Sequence, residues 1–280
     1  MSLLAGKVAL ITGAGRGIGR ATALAFADAG AALVLNDLGC GPDGAGSDPA
    51  VLDDIVAETT KRGARVLGVN GSVSDPETVT TMVERALEAF GHVDSAVACA
   101  GILRDKSLAN VSVEDLDALW DVQVKGTFLL FQAASAVMKR QGSGSLVATT
   151  STAGLLGNYG QSAYSAASAA VHGLVRTASI ELQRRGIRAN AVAPLAKTRL
   201  TQHLPMFEHV ETMGPEHVAP LYAFLASDAS AALTGVTLTV AGGRVSLLRL
   251  AESASEFKEG DGGVWTPDEL TLHFTQTRRT

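Results

Sequence analysis

The architecture turns on Thr12-Gly13-Ala14-Gly15-Arg16-Gly17-Ile18-Gly19. Before it, Lys7-Val8-Ala9-Leu10-Ile11 is apolar and partly β-branched, and reads as a buried parallel strand. After it, residues 20–29 are rich in Ala, Leu and Phe and read as a helix closed by Gly30 at C′. A glycine-rich turn between a strand and a helix lets a pyrophosphate approach the backbone. There it meets the unpaired N–H groups and the positive dipole end of the helix. Gly13, Arg16, Gly17, Ile18 and Gly19 are therefore candidate phosphate-binding residues.

Residues 31–36 read as a second strand. Asp37 ends it, eighteen residues past Gly19 (37 − 19). The second strand of a mononucleotide-binding unit places a carboxylate there, against the adenosine ribose. A carboxylate accepts hydrogen bonds from two ribose hydroxyls and repels a 2′-phosphate, so NAD is favoured over NADP.

The totals set the outer bounds. The 280 residues make one large domain or two small ones, and 46% hydrophobic content is ample for a core. The 30 glycines suit a fold with many strand-to-helix turns, and a net charge of −5 offers no basic surface for nucleic acid. No stretch approaches the ~20 apolar residues of a membrane helix, and no signal peptide is evident. Cys40 and Cys99 form no pair with metal or redox spacing, which fits a reducing cytoplasm. The 6 histidines are scattered, so no metal site is expected.

Strand-like and helix-like segments alternate along the chain, which predicts a parallel sheet covered on both faces. Residues 38–47, with four glycines, read as a flexible loop beside the adenosine site. Asp48-Pro49 opens a helix, and Ser74-Asp75-Pro76-Glu77 opens another as a capping box. Further strands are expected at 65–69, 93–100, 144–150, 187–192 and 235–241, the one at 187–192 being broken by Pro194. Helices are expected from Ser112 towards Arg140, over 162–185 and over 216–226. The fold class is α/β: a single Rossmann-type doubly wound sheet of about seven strands, residues 1–243. Residues 244–280 form a C-terminal extension, with a helix start at Thr266-Pro267-Asp268-Glu269.

In this order, Thr12 to Gly19, Ala98-Cys99-Ala100-Gly101, and Ser151 thirteen residues before Tyr164 (164 − 151) resemble the short-chain dehydrogenase/reductase family. Within it, residues 36–39, 101–105 and 157–161 look most like the 3-hydroxyacyl-CoA dehydrogenase domain of peroxisomal multifunctional enzymes and its bacterial relatives. The resemblance implies acyl-CoA-like or hydroxysteroid-like substrates and a homodimer or homotetramer joined through its long helices. It also adds Leu38, Ser72, Ala100, Gly101, Tyr164 and Pro194 to the cofactor contacts.

Hydride transfer from an alcohol needs a base for the hydroxyl proton and a donor that steadies charge on the oxygen. Tyr164 fits the first role and Ser151 the second. A phenol with pKa near 10 is a poor base at neutral pH, and the family corrects this with a lysine four residues on. At i and i+4 two side chains share a helix face, but here the position holds Ser168, which carries no charge. The family's catalytic Asn falls at Gln123, and its adenine-facing Asp after the third strand is matched by Gly71. Lys125 and Lys197 are the lysines to weigh as substitutes. His172 and Trp120 read as packing residues. A segment over 198–213, with His203, Pro205, Met206 and Phe207, suits an apolar ligand. Three functions stay open: a slowed NAD-dependent oxidoreductase, a nucleotide-binding relative that acts as a sensor or partner subunit, or a domain that binds no nucleotide and serves only in assembly.

Overall fold

A computed structural model describes residues 2–204, 207–208, 212–252, 255 and 257–277. Its strands are β1 Val8–Thr12, β2 Ala32–Asp37, β3 Val66–Asn70, β4 Ser95–Ala98, β5 Gly144–Thr149, β6 Ile187–Leu195, β7 Thr237–Ala241 and β8 Arg244–Leu248. The helices are α1 Gly17–Asp28, α2 Ala50–Lys61, α3 Pro76–Phe90, α4 Val113–Leu119, α5 Gly126–Gln141, α6 Ala153–Leu156, α7 Ser162–Leu182, α8 Ala219–Ala226 and α9 Pro267–Thr277. The sheet order is β3-β2-β1-β4-β5-β6-β7-β8.

Strand alternation divides the core into two layers. Val8, Leu10, Ala32 and Val34 pack with Met82 and Val83 of α3, Leu130 and Phe131 of α5, and Val171 and Val175 of α7. Ala9, Ile11, Leu33 and Leu35 point the other way, onto Ala23 and Phe26 of α1, Ile55 of α2 and Tyr222 of α8. A two-residue period turns alternate side chains to opposite faces, and because both faces are covered the strands read as unbroken apolar runs. The order reverses between β1 and β4, which opens a crevice beyond the carboxyl ends of these strands.

Several expectations need correction. The expected sheet of about seven strands stands, but an eighth strand extends it. Residues 244–248, read from the sequence as the start of the extension, pair antiparallel with β7 across Gly242-Gly243. Gly242 has φ +54°, which a two-residue hairpin turn demands. β6 is not broken at Pro194, which pairs with Val240. The Ala191 N–H points to β7 and the Val192 carbonyl to Thr150. Alternation therefore turns the Pro194 nitrogen towards β5, whose pairing with β6 ends at Thr149↔Val192, and no ladder bond is lost. Asp75, not Ser74, caps α3, accepting from the Glu77 N–H at 3.1 Å. Trp120 is 46% exposed, and His172 bonds Thr237 at 2.9 Å.

Arg249–Thr280 forms a separate compact unit. In it the Thr266 hydroxyl accepts from the Glu269 N–H, while Glu269 accepts from the Thr266 N–H at 2.7 Å, a reciprocal cap on α9.

Candidate active site

The crevice is built from the turns that follow the strands. Gly13 has φ +64°, and a Cβ on it would stand 2.6 Å from the Ala100 Cα, so only glycine lets the turn after β1 lie against the segment after β4. Gly17 is different. A Cβ there would meet only Thr198, at 3.7 Å, an ordinary van der Waals contact, so it is the backbone, at φ +54°, that favours glycine. Arg16, Gly17, Ile18 and Gly19 lead into α1, whose N-cap has extended backbone and no side-chain cap, and whose first turn holds no acidic residue. The first N–H groups of a helix have no intrahelical partner, and here no side chain neutralises the positive end. A pyrophosphate fits that arrangement.

Asp37 ends β2 beside this turn. Its Oδ2 accepts from the Gly15 N–H at 2.8 Å and its Oδ1 from the Gly39 N–H at 2.7 Å. The carboxylate thus fixes the glycine turn to the loop after β2. That loop is not a free excursion, as the sequence suggested. The Leu38 carbonyl accepts from the Asp48 N–H at 3.1 Å, the Pro42 carbonyl from the Leu103 N–H at 3.1 Å, and the Asp43 carbonyl from Arg104 Nε at 2.9 Å. The glycines let the chain fold back over the crevice towards the segment after β4. Ser72, after β3, pairs with the Ser74 hydroxyl at 2.9 Å. Gly71 is required by Thr78, which a Cβ would strike.

The candidate reacting groups lie on α7 and at the end of β5. Ser151 follows β5, and Tyr164 and Ser168 lie one turn apart on the helix, with Ser168 buried. Burial pushes the Tyr164 phenol above its ordinary pKa; the hydroxyls of Ser151 and Ser168 pull it back, and the Asp105 carboxylate pushes it up again. Tyr164, Val122 and Cys40 pack against one small apolar cluster of Ile102, Leu119 and Ala163, to which the loops after β2 and β4 both contribute. Gly154 of α6 permits the close fit beside Ser168, whose Cβ would lie 2.9 Å from a Cβ there.

Gln123 sits in a π-helical turn, Trp120–Lys125, that joins α4 to α5. Such turns often occur where a helix must re-aim a side chain at a site. Its Nε2 donates to the Ile102 carbonyl at 3.4 Å, while its Oε1 is buried without a partner among the described residues. Lys125 pairs with Asp121 at 3.9 Å and acts on the Asp75 carboxylate, so it serves a different surface from Tyr164. The Lys197 N–H donates to the Met213 carbonyl at 2.6 Å. Pro205 and Met206 lie outside the described residues, His203 is exposed, and Phe207 is buried.

Sequence reasoning missed Tyr222, Thr149, Asp105 and Arg199. The Tyr222 hydroxyl bonds Thr149 at 2.6 Å, and Thr149 donates to the Ala98 carbonyl at 2.8 Å. This pair steadies the end of β4 beside Cys99, whose buried thiol is pushed up to about 11. A tyrosine inside the apolar run of α8 was a legible signal, since a buried phenol needs a partner. Arg199 left no signal beyond a charge in a loop. Among the described residues no His, Cys, Asp and Glu cluster could hold a metal, and no helix is long and apolar enough to cross a membrane.

A Rossmann sheet whose crevice brings an uncapped, glycine-rich helix start together with a Ser and Tyr pair defines a short-chain dinucleotide oxidoreductase. A family model described as Enoyl-(Acyl carrier protein) reductase matches residues 13–244, and the chain belongs to the short-chain dehydrogenase/reductase family. It is 40% identical over 265 residues to peroxisomal multifunctional enzyme type 2 of Mus musculus, which covers 95% of this chain and 36% of that longer protein. It is 38% identical over 282 residues to hydroxyacyl-CoA dehydrogenase ChsB1 of Mycobacterium tuberculosis, covering 96% and 87%. A crystal structure of a short chain dehydrogenase from Mycobacterium avium superposes with a TM-score of 0.83 at 36% identity, covering 98% of this chain and 95% of that one. The chain is therefore an enzyme of oxidoreductase class, and its family uses a nicotinamide nucleotide.

Proposed function

We propose that the chain is an NAD-preferring short-chain oxidoreductase that interconverts a secondary alcohol and a ketone on a hydroxyacyl-CoA-like or similarly apolar substrate. The observation that carries this reading is the Ser151, Tyr164 and Ser168 cluster, with Ser168 where the family has lysine. Gly13, Arg16, Gly17, Ile18, Gly19, Asp37, Leu38, Ser72, Ala100, Gly101 and Pro194 form the cofactor contacts in this reading. When bound, the nicotinamide accepts or returns the hydride. The Tyr164 Oη exchanges the proton of the substrate oxygen, the Ser151 hydroxyl donates to that oxygen, and Gln123 helps to fix the segment after β4. A phenol raised by burial is neutral at pH 7. It is then ready as an acid for ketone reduction and poor as a base for alcohol oxidation.

The name of the hydroxyacyl-CoA dehydrogenase supports an acyl thioester. The Asp37 carboxylate at the end of β2 supports NAD. The cysteines Cys40 and Cys99 are thiols, which supports the cytoplasm. Trp120, Phe128 and Ile180 expose large apolar side chains on or beside the long helices, which supports a homodimer or homotetramer.

The test is turnover of 3-hydroxyacyl-CoA and 3-oxoacyl-CoA substrates with NAD and NADP between pH 7 and 10. Turnover that prefers NAD, with oxidation rising towards alkaline pH, supports the reading. One observation favours a second reading: Ser168, which carries no charge, stands four residues after Tyr164, where the family has lysine. Nucleotide binding without turnover would make the chain a sensor or partner subunit instead.

A further inference from the structure

Three loops from three strand ends meet at one carbonyl oxygen. The Cys40 carbonyl accepts a hydrogen bond from Arg16 Nη1 at 3.0 Å and another from Arg199 Nη1 at 3.1 Å. Arg16 belongs to the turn after β1, Cys40 to the loop after β2, and Arg199 to the segment after β6. In the sheet order β2 and β6 are four strand spacings apart, roughly 19 Å at ~4.8 Å each. The Arg199 contact therefore bridges the crevice above the ends of β1, β4 and β5, where an α/β sheet of this order takes a dinucleotide.

Each abutment of the bridge is fixed. Asp37 binds the N–H groups of Gly15 and Gly39 on one side. On the other, the Thr201 hydroxyl donates to the Ala196 carbonyl at 2.6 Å and accepts from the Thr198 N–H at 2.9 Å, holding the turn that presents Arg199. The charges of Asp37, Arg199 and Arg16 all reach the Cys40 thiol. Two guanidinium groups drawn to one neutral carbonyl repel each other, and an anion between them would offset that repulsion. The two bonds use both lone pairs of the oxygen, so the three loops are joined at a single point.

We propose that Arg199 is a cofactor-retaining latch: with Arg16 it fastens the loop after β2 to the segment after β6 across the crevice, and a bound dinucleotide leaves when the Arg199 to Cys40 contact opens. Arg199 is a binding residue in this role and takes no part in the chemistry. The inference rests on the nucleotide-binding reading above.

The test is stopped-flow fluorescence of NADH association and displacement with the full chain and with Arg199→Ala, Arg199→Gln and Arg199→Lys, alongside the melting temperature without nucleotide. A latch predicts that Arg199→Ala and Arg199→Gln release NADH about tenfold faster, the worth of one charge-assisted hydrogen bond, with association as fast or faster. Arg199→Lys, which keeps the charge and one donor, falls between. The melting temperature stays near that of the parent, and if Arg199→Ala fails to fold, the Gln and Lys variants carry the comparison. Release at the parental rate in both Arg199→Gln and Arg199→Lys overturns the latch, as does slower association with unchanged release, which marks only lost attraction. A parental chain that binds no NADH overturns the nucleotide reading itself, and the latch with it.

Discussion

Ser168 stands one turn of α7 beyond Tyr164, and its hydroxyl, with that of Ser151, lowers a phenol pKa that burial raises. A hydroxyl stabilises a phenolate only by hydrogen bonding. An ammonium at the same place adds a full opposite charge. Ser168→Lys therefore favours the phenolate. Alcohol oxidation at pH 7 is expected to rise about tenfold or more, with its alkaline limb moved to lower pH. The kcat profile against pH checks this, and an unchanged profile would mean that the rest of the site is not built for catalysis.

Asp105 acts in the opposite direction. Its exposed carboxylate disfavours the phenolate and also accepts from Gln161 Nε2 at 2.7 Å. Asp105→Asn removes the charge, so the alkaline limb of oxidation shifts to lower pH. Because the group faces solvent, the difference between variant and parent should shrink as salt is raised. A rate profile at two ionic strengths measures both effects.

Asp37 holds Gly15 and Gly39, and in the proposed function its carboxylate also meets the adenosine ribose. Asp37→Ala is expected to raise the KM for NAD about tenfold or more and to narrow the preference over NADP, because the repulsion of a 2′-phosphate goes with the charge. The ratio of kcat/KM values for the two nucleotides is the measurement.

Asp115 ties the segment after β4 to α4. It receives Lys106 Nζ at 2.6 Å and shares a capping box with Ser112, and Lys106 holds its carboxyl at about 2. A depressed carboxyl contributes stability above its unfolded pKa, near 3.8, and loses it as pH falls from there through about 2. Asp115→Asn should lower the melting temperature at pH 7 and flatten its dependence on pH over that acid interval. Melting curves from pH 2 to 7 give the comparison.

Much of the fold was legible because its signals are local. The apolar run over β1, the glycines before α1 and the alternation of strands and helices follow from steric and solvation rules that act within a few residues. The spacing of Ser151, Tyr164 and Ser168 was legible without any tertiary contact, and the resemblance made Ser168 the counterpart of the family's lysine. Even β8 had a signal in Gly242-Gly243, but the parallel pattern before it pointed to an end of the sheet rather than to a hairpin.

The sequence by itself determined the two-faced parallel sheet, the glycine turn and the chemical types offered to the crevice, since each depends on neighbours along the chain. Tertiary structure alone decided that Pro194 continues a strand, that the loop after β2 folds over the crevice, and that Arg16 and Arg199 meet at the Cys40 carbonyl. Those outcomes depend on which strand ends where and on which loops share one edge of the sheet. Such long-range register leaves no periodic mark in the amino-acid order.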